Sequence, residues 1–222
     1  MDRYALTIKG LSPLIMHHDN LTFGEKTTAW RKDPANKALS VSGDDRSPAF
    51  TWLGYLYHDG KIVGMPSDNV MTMFREGGAK VAGKGKGTFK KQTQAGLILD
   101  QQQMILTING KPIQVDQFKP LLENSDFTDH LAAAEAAGFE LLVKRAKIGM
   151  AKHVRVRPLF REWQLDGSFT VMDSEVSGLT EDILRLVLAQ AGALCGLGDW
   201  RPSSPSSGTF GRFESVLKKL KG

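Results

Sequence analysis

The apolar residues of this chain change period several times, and that succession limits the fold more than any single motif does. Tyr4-Ala5-Leu6-Thr7-Ile8-Lys9 alternates as a half-buried strand, and Gly10 with Ser12-Pro13 ends or bends it before Leu14-Ile15-Met16. Over residues 19–50 periodicity is lost among Asp33-Pro34, Ser42-Gly43-Asp44-Asp45 and Ser47-Pro48, which predicts a long excursion with room for one short hairpin. Residues 50–57 and 61–64, separated by His58-Asp59-Gly60, read as a hairpin with Asp-Gly turn chemistry. Pro66-Ser67-Asp68 then announces a short helix with Ser67 as N-cap, Val70, Met71 and Phe74 on its apolar face (extended by Val81), and Gly77-Gly78 as terminators.

A lysine- and glycine-rich segment follows. Leu97-Ile98-Leu99 and residues 104–108 flank a polar stretch and read as strands of a second hairpin, with Asn109-Gly110 making a turn. Residues 129–137 have helical composition ending at Gly138, and 139–143 fit strand or helix equally. Val154 and Val156 alternate with Arg155 and Arg157, and Trp163, Leu165, Phe169 and Val171 continue a β pattern, predicting one bent strand or one hairpin. Thr180 caps an amphipathic helix through Ile183, Leu184, Val187, Leu188, Ala191 and Leu194, with its exit at Gly196 or Gly198. A Ser/Pro/Gly-rich loop over 199–208 leads to a last strand near 210–216. The order is βαββαβ, that of an α+β, ferredoxin-like (RRM-like) core with long insertions and a glycine-rich loop before the last strand. With 222 residues, the reading is one domain over 1–222 with insertions at about 19–50 and 79–95.

Charge is distributed unevenly. Residues 79–91 and 143–161 together hold twelve of the 29 basic residues and none of the 24 acids, so the rest carries 17 bases against 24 acids, a net of −7. A polyanion suits that concentration, because each neutralised phosphate releases counterions and the gain accumulates along a strand. Neither window has the amphipathic face that inserts into a membrane surface, and no stretch approaches the ~20 apolar residues of a membrane span. The N-terminus lacks the basic start and apolar stretch of a signal peptide, so the expected address is cytoplasmic. Cys195 is the one cysteine and lies in an apolar run, which excludes an intrachain disulfide and a thiol cluster for zinc and predicts a buried structural thiol.

Gly78-Ala79-Lys80-Val81-Ala82-Gly83-Lys84 matches seven places of a phosphate-binding P-loop. It fails at the eighth, where Gly85 stands in place of the Ser or Thr that holds Mg²⁺, and it follows a helix instead of a strand. His17 and His18 follow the first strand, where one of them can act as general base on an RNA 2′-hydroxyl. Adjacent histidines on a strand point to opposite faces, so at most one serves a given site. Asp44-Asp45, Asp100, Asp126 and Asp129 are too scattered to predict a metal site, and no cofactor is expected. Trp52, Tyr55, Tyr57, Trp163, Trp200 and Phe210 are aromatics able to stack on bases, and Trp200, in a glycine and proline loop beside Arg201, is the best placed.

Gly196-Leu197-Gly198-Asp199-Trp200-Arg201-Pro202, then Gly208-Thr209-Phe210-Gly211-Arg212-Phe213, together with Ser12-Pro13-Leu14 after the first strand, resemble the RAMP superfamily of CRISPR systems. The resemblance covers about the first 20 and last 70 residues. The middle matches in layout, most like the guide-RNA-binding backbone subunits of CRISPR effector complexes. It implies that Lys84, Lys86, Lys90, Lys91, Arg201 and Arg212 contact phosphates; no residue is assigned to the catalytic aspartate of the family's target-cleaving branch, and cleavage is not inferred. The full expected nucleic-acid-binding set adds Lys80, Lys144, Arg145, Lys147, Lys152, Arg155 and Trp200. The expected function is non-enzymatic binding of RNA or single-stranded nucleic acid, as a repeated, homo-oligomerising subunit of an antiviral ribonucleoprotein with other subunits as partners. The alternatives are a metal-independent endoribonuclease using His17 or His18, and a structural assembly protein of a phage or mobile element.

Overall fold

The computed structural model describes residues 1–148 and 151–221, with the backbone alone for 147–148 and 151–152. In chain order, β1 (Asp2–Gly10) and β2 (Leu14–Ile15) precede α1 (Leu21–Lys32), β3 (Gly64–Pro66), α2 (Ser67–Gly78) and α3 (Lys90–Ala95). Next come β4 (Leu97–Leu99), β5 (Gln103–Ile108), β6 (Lys111–Pro112), α4 (Phe127–Ala136), β7 (Glu140–Ile148) and β8 (Ala151–Phe160). The order is completed by β9 (Gln164–Val171), α5 (Ser174–Ser177), α6 (Glu181–Gln190) and β10 (Phe213–Lys219). The class is α+β with antiparallel sheets. Among the described residues no helix is long and apolar enough to cross a membrane.

The chain divides into two compact units, one of residues 1–14, 58–113 and 161–222, the other of residues 15–57 and 114–160. In the first unit, alternation turns Tyr4, Leu6 and Ile8 of β1 into the core, each at most 2% exposed. The sheet order is β10-β1-β9-β5-β3, with β4 also on β9 and β6 on β5. Register follows the pattern: Leu6 stands opposite Leu217 on one side and Gly167 on the other, and Ile8 opposite Leu165. Val70, Met73 and Phe74 seat α2 in this core, where Phe74 meets Phe169 edge-on at 5.0 Å. Burying each of these side chains stabilises by about 1.5–3 kcal/mol. A Cβ on Gly77 would lie 2.6 Å from the Val187 carbonyl oxygen and 2.8 Å from Ala191 Cβ, so glycine there lets α2 and α6 approach closely. Thr180 caps α6 by accepting the Ile183 N–H, and a single wider turn over Ala191–Cys195 ends at Gly196 with φ +73°.

In the second unit β7 and β8 form a long hairpin, with Ile15 at the other edge of β8. A 3₁₀ turn at Ala49–Tyr55 buries Trp52, whose indole N–H donates to His130 Nδ1 at 3.0 Å while Phe118 and Phe139 pack edge-on. The His130 Nε2 lies 3.0 Å from the Asn124 carbonyl oxygen, so this ring nitrogen carries the proton, and burial pushes the pKa of His130 down.

Five local expectations are corrected. Residues 50–57 are not a strand, because Ala49–Gly54 are buried without alternation and Thr51 bonds back to the Pro48 carbonyl through both its N–H and its hydroxyl, favouring a tight helical turn. β4 and β5 do not pair with each other as a hairpin; both lie against β9. The β pattern over 154–171 is two strands of different sheets, β8 and β9. The excursion over 19–50 contains the 12-residue helix α1, capped where Asn20 Oδ1 accepts the Phe23 N–H. Val81 lies beyond the end of α2.

Candidate nucleic-acid interface and a polar cleft

The lysine segment of the first unit is a short, ordered projection. Ala82 bridges Thr88, the Gly83 N–H donates to the Gly87 carbonyl at 2.9 Å, and the Gly87 N–H to that of Lys84 at 3.2 Å. Gly85 at the tip has φ +65°, a conformation that favours glycine. Val81, 7% exposed, anchors the base, and Thr93 of α3 is fully buried. Lys80, Lys84, Lys86, Lys90 and Lys91 are all exposed, and no ion pair holds any of them among the described residues. Because the Gly83 and Gly87 amides close the hairpin on itself, they do not form the phosphate nest that a P-loop needs.

The basic residues of β7 and β8 separate into two kinds. Lys144 and Arg145 are exposed on β7, the edge strand of its sheet. Lys147 and Lys152 face each other in register near the hairpin end, and their side chains lie outside the described ones. Arg155, by contrast, donates to Asp45 Oδ1 at 2.9 Å, and Arg157 donates to Asp45 Oδ2 at 3.0 Å. The same carboxylate accepts the Val156 N–H and the Tyr55 hydroxyl, each at 3.2 Å. Asp45 is 4% exposed, so two guanidiniums and two further donors replace the water it has lost. The Arg157 guanidinium also lies over the Tyr55 ring at 4.2 Å.

The glycine-rich loop holds its own basic residues close. Arg201 Nη2 pairs with Glu76 at 3.1 Å, and the Ser203 hydroxyl donates to the same carboxylate at 2.6 Å. Trp200 adopts φ +49° and is half-buried, with its ring 6.3 Å from that of Phe210. Arg212 is exposed, but its Nη1 donates to the Ala193 carbonyl. Cys195 is buried, and burial pushes its thiol pKa up, as expected of a structural residue. Of the other aromatics considered for stacking, Trp52 and Trp163 are core residues, while Tyr57 stacks on His18 at 5.0 Å.

The second unit also contains a cleft of about 290 Å³ that sequence reasoning did not assemble. His17 and His18 line it from the segment before α1; Phe23, Gly24 and Arg31 line it from α1; Tyr55 and Arg155 complete the wall. Arg157 Nη2 lies 3.2 Å from His17 Nε2, and since a guanidinium has no lone pair to offer, this nitrogen is the acceptor. The two histidines were legible as candidates; Phe23, Arg31, Asp45 and Tyr55 were not. Asp44 pairs with Arg46 at 2.6 Å and Asp45 serves the two arginines. The available signal was two adjacent acids in a stretch with few bases, set against an acid-free strand elsewhere in the chain. No family model matches this chain, and no curated protein matches it.

Proposed function

We propose that this protein binds RNA or single-stranded nucleic acid without catalysing its cleavage, as a repeated subunit of a ribonucleoprotein of the RAMP type. The observation that carries the reading is the lysine segment, five exposed ammonium groups of which Lys84 and Lys86 lie on a hairpin tied down by its own backbone bonds, Lys80 precedes it, and Lys90 and Lys91 open α3. Such a surface gains counterion-release entropy on meeting phosphates and has little geometry for reading bases. Lys144 and Arg145 on β7 give the second unit a smaller surface of the same sign. The strand order β10-β1-β9-β5, with α2 between β1 and β5 and α6 between β9 and β10, supports a ferredoxin-like core for the first unit. Its core-facing aromatics Tyr4 and Phe169 leave base stacking to the loops, unlike an RRM sheet.

The test begins with the purified protein: the 260 to 280 nm absorbance ratio, then extraction and sizing of any strand that accompanies it. A discrete RNA or a ladder supports the reading and points to an oligomer. Protein free of nucleic acid that also ignores labelled single-stranded RNA and DNA at low salt would overturn it in favour of an assembly protein. Cleavage of the RNA without metal, abolished in His17→Ala or His18→Ala, would replace it with the nuclease reading.

A further inference from the structure

The cleft of the second unit has no part in the lysine-based reading above, and its chemistry is different. Arg31 donates through Nε to the Ser47 carbonyl at 2.9 Å and through Nη2 to the Asp44 carbonyl at 3.3 Å. Two backbone oxygens thus fix the orientation of this guanidinium without neutralising it. Asp44 is engaged by Arg46, and Asp45 is shared between Arg155 and Arg157. Arg155 and Arg157 meet the one carboxylate of Asp45 and Arg31 meets carbonyls alone, so with Arg157 behind the wall and the exposed Asp19 counted, three positive charges stand against two negative. Thr27 and Thr51, also on the wall, turn their hydroxyls back onto the Phe23 and Pro48 carbonyls. His18 carries an Nδ1 that is buried with no hydrogen-bond partner, a costly arrangement unless something relieves it.

The walls have a second character. Phe23 and Tyr55 give the cleft aromatic surface, and Gly24 faces open space, with no atom within 4 Å of where a Cβ would stand. A glycine inside a helix costs about 1 kcal/mol relative to alanine, and nothing in the packing of α1 requires it. At this position the missing side chain keeps the cleft open. The volume, about 290 Å³, lies at the small end of clefts that take small-molecule ligands.

From these features we infer that the cleft is a site for a nucleoside phosphate. Arg31 and Arg155 hold the phosphate, and the nucleoside lies against Phe23 and Tyr55 across the space that Gly24 leaves. A prealigned guanidinium that no ion pair holds among the described residues suits a phosphate because its planar fork matches two phosphate oxygens. This inference does not rest on strand binding by the lysines, and either can fail alone.

The experiment titrates the full chain with inorganic phosphate and with each of the four ribonucleoside 5′-monophosphates, read by calorimetry and by histidine ring NMR signals. Saturable one-to-one binding of at least one nucleotide is expected, at least tenfold tighter than inorganic phosphate. Gly24→Leu, which fills the opening, and Arg31→Gln should each weaken it at least tenfold, with far-UV circular dichroism showing that Gly24→Leu still folds. The site is refuted if no nucleotide binds, if inorganic phosphate binds as tightly, or if Gly24→Leu binds as well as the parent. A free nucleotide and a nucleotide within a strand are separated by a single-stranded 10-mer. If Gly24→Leu leaves its affinity unchanged while nucleotide binding is lost, the ligand is the free nucleotide. Loss of both assigns the cleft to a nucleotide of the strand.

Discussion

The segment 79–91 and the strand stretch 153–157 carry charge of the same sign and treat it in opposite ways. In the first, glycines at 83, 85 and 87 make a tight tip with no side chains to pack, so the lysines between them point to water. In the second, Arg155 and Arg157 alternate with valines on a strand next to the buried Asp45, and both are drawn onto its carboxylate. Lysine and arginine suit these two settings. A flexible, strongly hydrated ammonium stays in solvent, while a planar guanidinium tolerates desolvation when its donors are matched. A run of basic residues is therefore an open, unpaired surface only where the backbone keeps it away from acids.

The comparison is tested most severely by Asp45→Ala. It leaves two guanidiniums facing each other with no carboxylate, and should cost about 3–5 kcal/mol in denaturant unfolding, with little effect on strand affinity in the fraction that remains folded. Next in size is the combination Lys84→Gln, Lys86→Gln, Lys90→Gln and Lys91→Gln. Strand affinity should fall about a hundredfold at low salt and the salt slope by about 3, while stability changes by less than about 0.5 kcal/mol. Equal losses of stability in the two experiments would erase the distinction. Lys144→Gln with Arg145→Gln should weaken binding about tenfold and lower the slope by about 1.4, placing β7 with the lysine segment. The smallest effect belongs to Tyr55→Phe, which removes one donor to Asp45 and should cost about 1 kcal/mol.

Tyr55 also gives the paired cluster a pH signature. Burial first, then the negative charge of Asp45, push the pKa of its hydroxyl up from 10.0. The neutral form is thus favoured in the folded state, so its contribution is complete below pH 10.0 and is lost as pH rises through the higher folded value. Unfolding curves of the parent and Tyr55→Phe should converge as pH rises beyond 10.0. A constant gap would mean that the hydroxyl is not titrating in this setting.

Regular periods were the readable part of the fold. β1, the Thr180 cap and the Gly196 exit follow from alternation, a capping hydroxyl and a glycine with positive φ, all local properties. α1 was hidden because it buries only Thr27, carries a glycine and two adjacent threonines, and depends on the Asn20 cap. The turn at Ala49–Tyr55 was misread because β-rich composition with burial on all sides imitates a central strand. β7 was ambiguous over 139–143 because its partner, β8, supplies the register that fixes it. The charge of the lysine segment was legible in its composition, whereas its closed hairpin rests on the Ala82–Thr88 pairing. The cleft needed residues from 17 to 155 brought together, which no spacing in the sequence displays.

The first unit is assembled from three stretches of chain, and this sets an order of events during synthesis. On a ribosome, everything the second unit uses has been made once residue 160 emerges. β1, made before them, must wait. Thr7 meets Asp166 across 159 positions, and Ser12 meets the Arg212 N–H across 200. Until β9 and then β10 arrive, Tyr4, Leu6 and Ile8 have no sheet to enter, and the nascent chain carries an unsealed apolar strand.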